Sequence, residues 1–192
     1  PVSAGLILAA GASRRMRAPK ALLDYRGETF VDRLIGLFAA RTGPVIVVLG
    51  GHAAEIRAAA RRPARFVLNP DYENGMLGSL QCGLRAVPPE ASGVLLTLVD
   101  HPAVADSTID ALLSPPAGAL LRVPRYRAKR GHPIWFHPSL MPEFLAPPAG
   151  ATARDIVAAH AAQTDYLDLD DPGVVADIDD PAAYRELTGA SL

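Results

Sequence analysis

Cysteine is almost missing from this chain. Cys82 is the one thiol among 192 residues, so no internal disulfide can form and no thiolate cluster can hold a metal. A reducing cytoplasm is the expected setting, with Cys82 as a small core residue. Excess charge is missing too: 19 Lys and Arg stand against 20 Asp and Glu, for a formal net charge of -1. That balance argues against nucleic acid as a partner, and a 49% hydrophobic content argues against disorder. No long hydrophobic run is present. The start PVSAGLILAA has no basic flank and breaks at Gly11 and the arginines behind it, so it reads as neither a signal peptide nor a membrane span. His52, His101, His132, His137 and His160 show no HxxxH or HxH spacing, which speaks against zinc. GxxxxGK[ST] is absent, and Gly11 has no companions at dinucleotide-fingerprint spacing, so the main support for an ATPase or a dehydrogenase is gone. Without repeats, low-complexity runs or a dividing linker, residues 1–192 are read as a single domain.

What is present centres on Gly5 to Lys20. An apolar run ends at Ala9-Ala10-Gly11, and Ser13, Arg14, Arg15, Arg17 and Lys20 follow. A buried strand opening into a cationic, glycine-containing loop lets backbone N–H groups approach an anion that Arg and Lys neutralise, with phosphate as the usual occupant. Val45–Leu49, a β-branched run without alternation, reads as a strand covered on both faces, Arg65–Leu68 as a third strand stopped by Pro70, and Gly93–Val99 as another continuous apolar run. Helical spacing is expected over Thr29–Arg41, His52–Arg62, Leu77–Leu84, Ser107–Leu113, Pro138–Leu145, Ala151–Ala162 and Pro181–Leu187. Ala119–Val123 and Pro133–Phe136 read as strands about a basic turn, Tyr126–His132. Asp165–Asp171 is acidic, and Val174–Asp179 reads as a short strand. Strands alternating with helices predict an α/β, doubly wound, mostly parallel mixed sheet with at least one antiparallel strand and ligands at the carboxyl ends.

A bound polyphosphate needs its charge neutralised, by basic side chains and by a divalent cation. Lys20 and Arg15 can hold phosphates. Asp100, delivered by the strand before it, can hold Mg²⁺, and Asp179 is a candidate second ligand. Each has a plainer role open to it. Asp100 or Asp179 can cap a helix, Asp177 competes with Asp179 from the same side of a strand, and Arg127, Lys129 and Arg130 can form a solvated turn.

Leu8-Ala9-Ala10-Gly11-Ala12-Ser13-Arg14-Arg15-Met16-Arg17-Ala18-Pro19-Lys20 resembles the nucleotidyltransferase signature LAAGxSxRMGxPK, departing where Arg17 replaces glycine. Val99-Asp100-His101-Pro102 is similar to the family's GDQP, with Val99 and His101 departing, and Asp177-Ile178-Asp179-Asp180-Pro181 resembles DIDTPED. Asn69 to Leu80 resembles the loop that encloses the base. The resemblance is to molybdenum cofactor cytidylyltransferase and its MobA-like relatives, and it implies a three-layer fold like that of the nucleotide-diphospho-sugar transferases. It further implies that residues 1–103 mainly bind nucleotide and 104–192 mainly the acceptor. Arg15, Lys20 and Asp100 become catalytic, and Asp100 and Asp179 the metal ligands. Leu8, Ala9, Ala10, Gly11, Ser13, Gly78 and Ser79 hold the nucleotide. Ala10 resembles the cytidylyl-transferring branch, which makes CTP the nucleotide and molybdopterin the phosphorylated acceptor. Arg127 to Pro133 resembles the acceptor-side GHP loop. Two alternatives stay open: nucleotidyl transfer to a sugar or polyol phosphate, and a non-catalytic carrier delivering cofactor to a molybdenum hydroxylase apoenzyme.

Overall fold

The computed structural model describes residues 2–16 and 18–192. In chain order its strands are β1 Ala4–Ala9, β2 Asp24–Tyr25, β3 Glu28–Thr29, β4 Val45–Leu49, β5 Arg65–Leu68, β6 Val94–Leu98, β7 Leu121–Tyr126, β8 Lys129–Arg130, β9 Ile134–Phe136 and β10 Thr164–Asp168. Its helices are α1 Phe30–Ala39, α2 Ala53–Ala59, α3 Met76–Leu84, α4 Asp106–Leu112, α5 Met141–Leu145, α6 Ala153–Ala159 and α7 Pro181–Thr188. The main sheet runs β10-β7-β9-β6-β1-β4-β5, with β8 attached to β7. β1 pairs in parallel with both β4 and β6, β4 with β5, and β7 with β10. β9 is antiparallel to β6 and β7, which supplies the expected antiparallel strand.

The period of two in β1 explains the layers. Ile7 and Ala9 join one apolar cluster with Phe30, Leu34 and Phe38 of α1, Ile109 of α4 and Tyr184 of α7. Leu6 and Leu8 join the other with Leu80 and Leu84 of α3, Phe144 of α5 and Ile156 of α6. A strand buried on both faces has no polar side to show, which is why these runs lack alternation. Two helix starts are specified locally. Thr29 caps α1 by accepting from Asp32 N at 3.2 Å, and Asp180 caps α7 by accepting from Ala183 N at 2.8 Å, with Pro181 in the first turn.

The order reverses at β1. The chain leaves it for β4 and β5 on one side, then returns to place β6 on the other. Such a reversal opens a crevice at the carboxyl ends of the central strands. Both the loop after β1 and Asp100 after β6 emerge there. No helix among the described residues is long and apolar enough to cross a membrane.

One expected strand is not formed. Val174–Asp179 contains the end of a 3-10 turn, Pro172–Val174, followed by irregular chain. Its backbone bonds singly to turns, with His132 N donating to Val174 O at 2.8 Å and Ile178 N to Asp100 O at 2.7 Å, instead of building a ladder. The last strand is β10, which takes in most of the acidic stretch, to which the sequence pattern assigns no element. Asp165 and Asp168 lie opposite Arg122 and Arg125 of β7 and pair with them at 2.9 Å, so cross-strand charge replaces the apolar pattern at this sheet edge.

Candidate active site

The loop after β1 is built by short-range bonds. Ser13 takes a left-handed backbone, φ 54°, its carbonyl accepts from Met16 N at 3.0 Å, and its Oγ accepts from Lys20 N at 3.0 Å. Met16 is buried and anchors the loop in the core. A neighbouring turn braces it from behind: Gly51 N donates to Ala10 O at 3.0 Å, and a Cβ on Gly51 would stand 2.8 Å from Gly11 O, so only glycine fits. His52, also left-handed at φ 58°, meets Ala12 O through Nε2 at 3.2 Å. His52 was expected only as a helix start; no sequence pattern signals its hold on the loop. The replacement of glycine by Arg17 lies outside the described residues.

Lys20 carries the loop's charge into the crevice. Its Nζ lies 2.6 Å from Asp179 Oδ1 and 3.9 Å from Asp100 Oδ2, and Arg15 Nη2 pairs with Asp179 Oδ2. Residues separated by 159 positions therefore meet at one ammonium group. The two carboxylates also lose their plainer roles. Asp180 caps α7, and α4 has no side-chain cap; its start is tied by Asp171, whose Oδ2 accepts from Ala105 N at 2.9 Å and Thr108 Oγ1 at 2.7 Å. Asp177 is exposed, whereas Asp179 is half-buried against the two cations, a separation that strand alternation would have hidden.

Asp100 is set in a charged frame. Burial would raise its pKa, but the hydrogen bond from His101 Nδ1 at 2.8 Å and the positive fields of His101, Lys20 and His132 outweigh it and hold the carboxyl below its ordinary range. His101 is buried, and its ring lies 4.8 Å from that of His132, which the basic hairpin delivers. Desolvation and the nearby His101 push His132 down to about 4. His101 stood out in the sequence only as a departure, because adjacency in the chain does not show that a side chain folds back onto its neighbour.

A cavity of about 250 Å³ opens beside these groups. Leu8, Ala9, Ala10, Gly11, Ser13, Lys20, Ser79 and Asp100 of the expected residues line it, together with Tyr72, Glu73 and Met76. Arg15 and Asp179 do not line it but stand beside Lys20, Arg15 pairing with Asp179 and Asp179 with Lys20. Gly78 is not among the lining residues; a Cβ there would meet only Asn69 Nδ2, at 3.7 Å. The loop from Asn69 to Met76 faces the first loop as expected, linked to it by Arg14 and Glu73 at 3.1 Å. Ser79 is buried and accepts from Asn69 Nδ2 at 2.9 Å, a bond that does not use its own hydroxyl hydrogen.

The donor set suits a hard divalent cation. Asp100 and Asp179 supply carboxylate oxygens within reach of one ammonium, and no group of three or more His, Cys, Asp or Glu with metal-holding geometry occurs among the described residues. Mg²⁺ is characteristically held by one or two carboxylates, with substrate phosphates and water completing its shell.

The chain is similar to known proteins over most of its length. The chain is 34% identical over 191 residues to nicotine blue oxidoreductase of Paenarthrobacter nicotinovorans, covering 93% of each. It is 30% identical over 112 residues to the probable molybdenum cofactor guanylyltransferase of Bacillus cereus strain Q1, covering 57% of this chain and 54% of that one. The crystal structure of Rv0371c from Mycobacterium tuberculosis H37Rv superposes with a TM-score of 0.86 at 30% identity over 98% of both chains. A complex of Rv0371c with manganese superposes at 0.79 and 28% identity, covering 99% of this chain and all of that one. The MobA-like NTP transferase domain matches residues 5–164, which spans the cationic loop, the loop from Asn69 to Met76 and Asp100, and the chain belongs to that family of nucleotidyltransferases.

Proposed function

We propose that this protein transfers a cytidylyl group from CTP to the terminal phosphate of molybdopterin and releases pyrophosphate, with Mg²⁺ as the cation. The observation that carries this reading is the meeting of Lys20 with Asp179 and Asp100 at the mouth of the cavity. An oxygen of the acceptor phosphate attacks the α-phosphorus of CTP, the bond from that phosphorus to the bridging oxygen of the β-phosphate breaks, and the β- and γ-phosphates depart together. Lys20 and Arg15 exchange their contacts with Asp179 for phosphate oxygens, and so neutralise charge where it develops on the leaving group. Asp100 and Asp179 would hold the divalent cation, which would supply further neutralisation at the reacting phosphate. Ser79 donates to the base. Arg127, Lys129 and Arg130, exposed on the hairpin that ends in His132, attract the anionic acceptor from the other side.

Guanylyl transfer is the second reading, favoured by the name of the Bacillus cereus relative. The test is pyrophosphate release with CTP, GTP or ATP against molybdopterin and against a panel of sugar and polyol phosphates. The proposal expects CTP with molybdopterin to be fastest, and both Asp100→Ala and Lys20→Ala to abolish release. Preference for GTP would establish the second reading. Tight binding of the finished cofactor without turnover would make the protein a carrier. Reduction of nicotine blue without pyrophosphate release, the activity for which a full-length relative is named, would overturn the proposal.

A further inference from the structure

We propose that His101 is the positioning residue of the metal-binding carboxylate: its Nδ1–H, donated to Oδ1 of Asp100 at 2.8 Å, turns Oδ2 toward Lys20 and the cavity. The inference rests on the reading of Asp100 as a ligand for a divalent cation, and it deepens that reading. An ionised carboxylate only accepts, so the bond fixes the imidazole tautomer with its proton on Nδ1.

The backbone on either side is already fixed. His101 N donates to Leu98 O at 3.1 Å, and Asp100 O accepts from Ile178 N at 2.7 Å, which ties the residue to the segment that brings Asp179. What remains free is the rotation of the Asp100 side chain, and the bond from His101 removes it. The imidazole itself has little freedom. It is 6% exposed and lies against the His132 ring, centroids 4.8 Å apart at 52°. Hydrogen bonds behind a ligand fix its orientation, and their loss weakens metal binding by roughly 10- to 100-fold.

The probe is Mn²⁺ alone, titrated by electron paramagnetic resonance into the full-length wild type and into His101→Leu, His101→Asn and Asp100→Asn. Asparagine carries an amide N–H near the place of Nδ1, whereas leucine fills similar space and donates nothing. Positioning predicts that His101→Leu weakens Mn²⁺ binding about 10-fold or more while His101→Asn binds close to wild type. A purely packing role predicts the reverse order. Should His101→Leu fail to fold, His101→Ala with and without added imidazole makes the same comparison, and failure of imidazole to restore binding counts against the proposal. Wild-type affinity in His101→Leu, with binding lost in Asp100→Asn, overturns the role of His101 alone. Wild-type affinity in Asp100→Asn overturns the reading of Asp100 on which it stands.

Discussion

Gly131→Ala tests whether the irregular segment carrying Asp179 is held in place by space alone. The Gly131 backbone lies outside the left-handed region, so alanine suffers no conformational strain there. It has no room. A Cβ would stand 2.0 Å from Val174 O and 2.5 Å from Val174 C, where a carbon–oxygen contact needs about 3.3 Å, so the two segments must part by about 1.3 Å. Neither side yields easily: Gly131 N is bonded to Pro124 O at 2.9 Å, and Asp171 ties the other segment to α4. Overpacking of this kind costs about 1–3 kcal/mol. A displacement of about 1 Å passed along to Asp179 costs on the order of 10²-fold in turnover. Urea unfolding and steady-state pyrophosphate release measure both on one preparation, and both should fall. Unchanged turnover and an unchanged midpoint would refute the claim that this contact locates Asp179.

Asp171→Ala strands the buried Thr108 Oγ1 and Gly173 N and the half-buried Ala105 N, and should lower unfolding free energy by about 1–3 kcal/mol by denaturant titration. His132, at about 4 in the fold against an ordinary 6.5, favours the neutral form, so its contribution to stability is complete above pH 6.5 and is lost as pH falls toward 4. The metal-free protein should therefore lose up to about 1.4 kcal/mol per pH unit across that window, and His132→Phe should flatten the slope in a pH series of urea melts. Gly78→Ala, inside α3 with only Asn69 Nδ2 at 3.7 Å, should raise thermal stability by up to about 1 kcal/mol, and a lowered melting temperature would contradict the placement of that position.

The central half of the molecule was legible because its signals are local. β1, β4, β5 and β6 announce themselves as apolar runs, and the loop after β1 as a change from aliphatic to cationic residues within a few positions. The edge was not legible, since β10 is stabilised by Arg122 and Arg125 across the strand, and a pairing between distant segments leaves no period in either one. Val174–Asp179 failed in the opposite sense. Its Val-Val and Ile suit a strand, yet Val174 and Ile178 are spent as buried anchors, and the backbone between them follows Gly131 and Asp100. Asp179 nonetheless lies beside Lys20, in a segment that Asp180 and Pro181 mark as a helix start whatever precedes it. The histidines at 52, 101 and 132 were not assigned roles, since each acts through a tertiary contact.

Crystals grown with CTP and Mn²⁺ test the account most directly, through an anomalous difference map at the manganese edge. The account predicts a peak within coordination distance of both Asp100 and Asp179, with Lys20 moved from Asp179 onto the triphosphate. A manganese ion bound to CTP that touches neither carboxylate would contradict it.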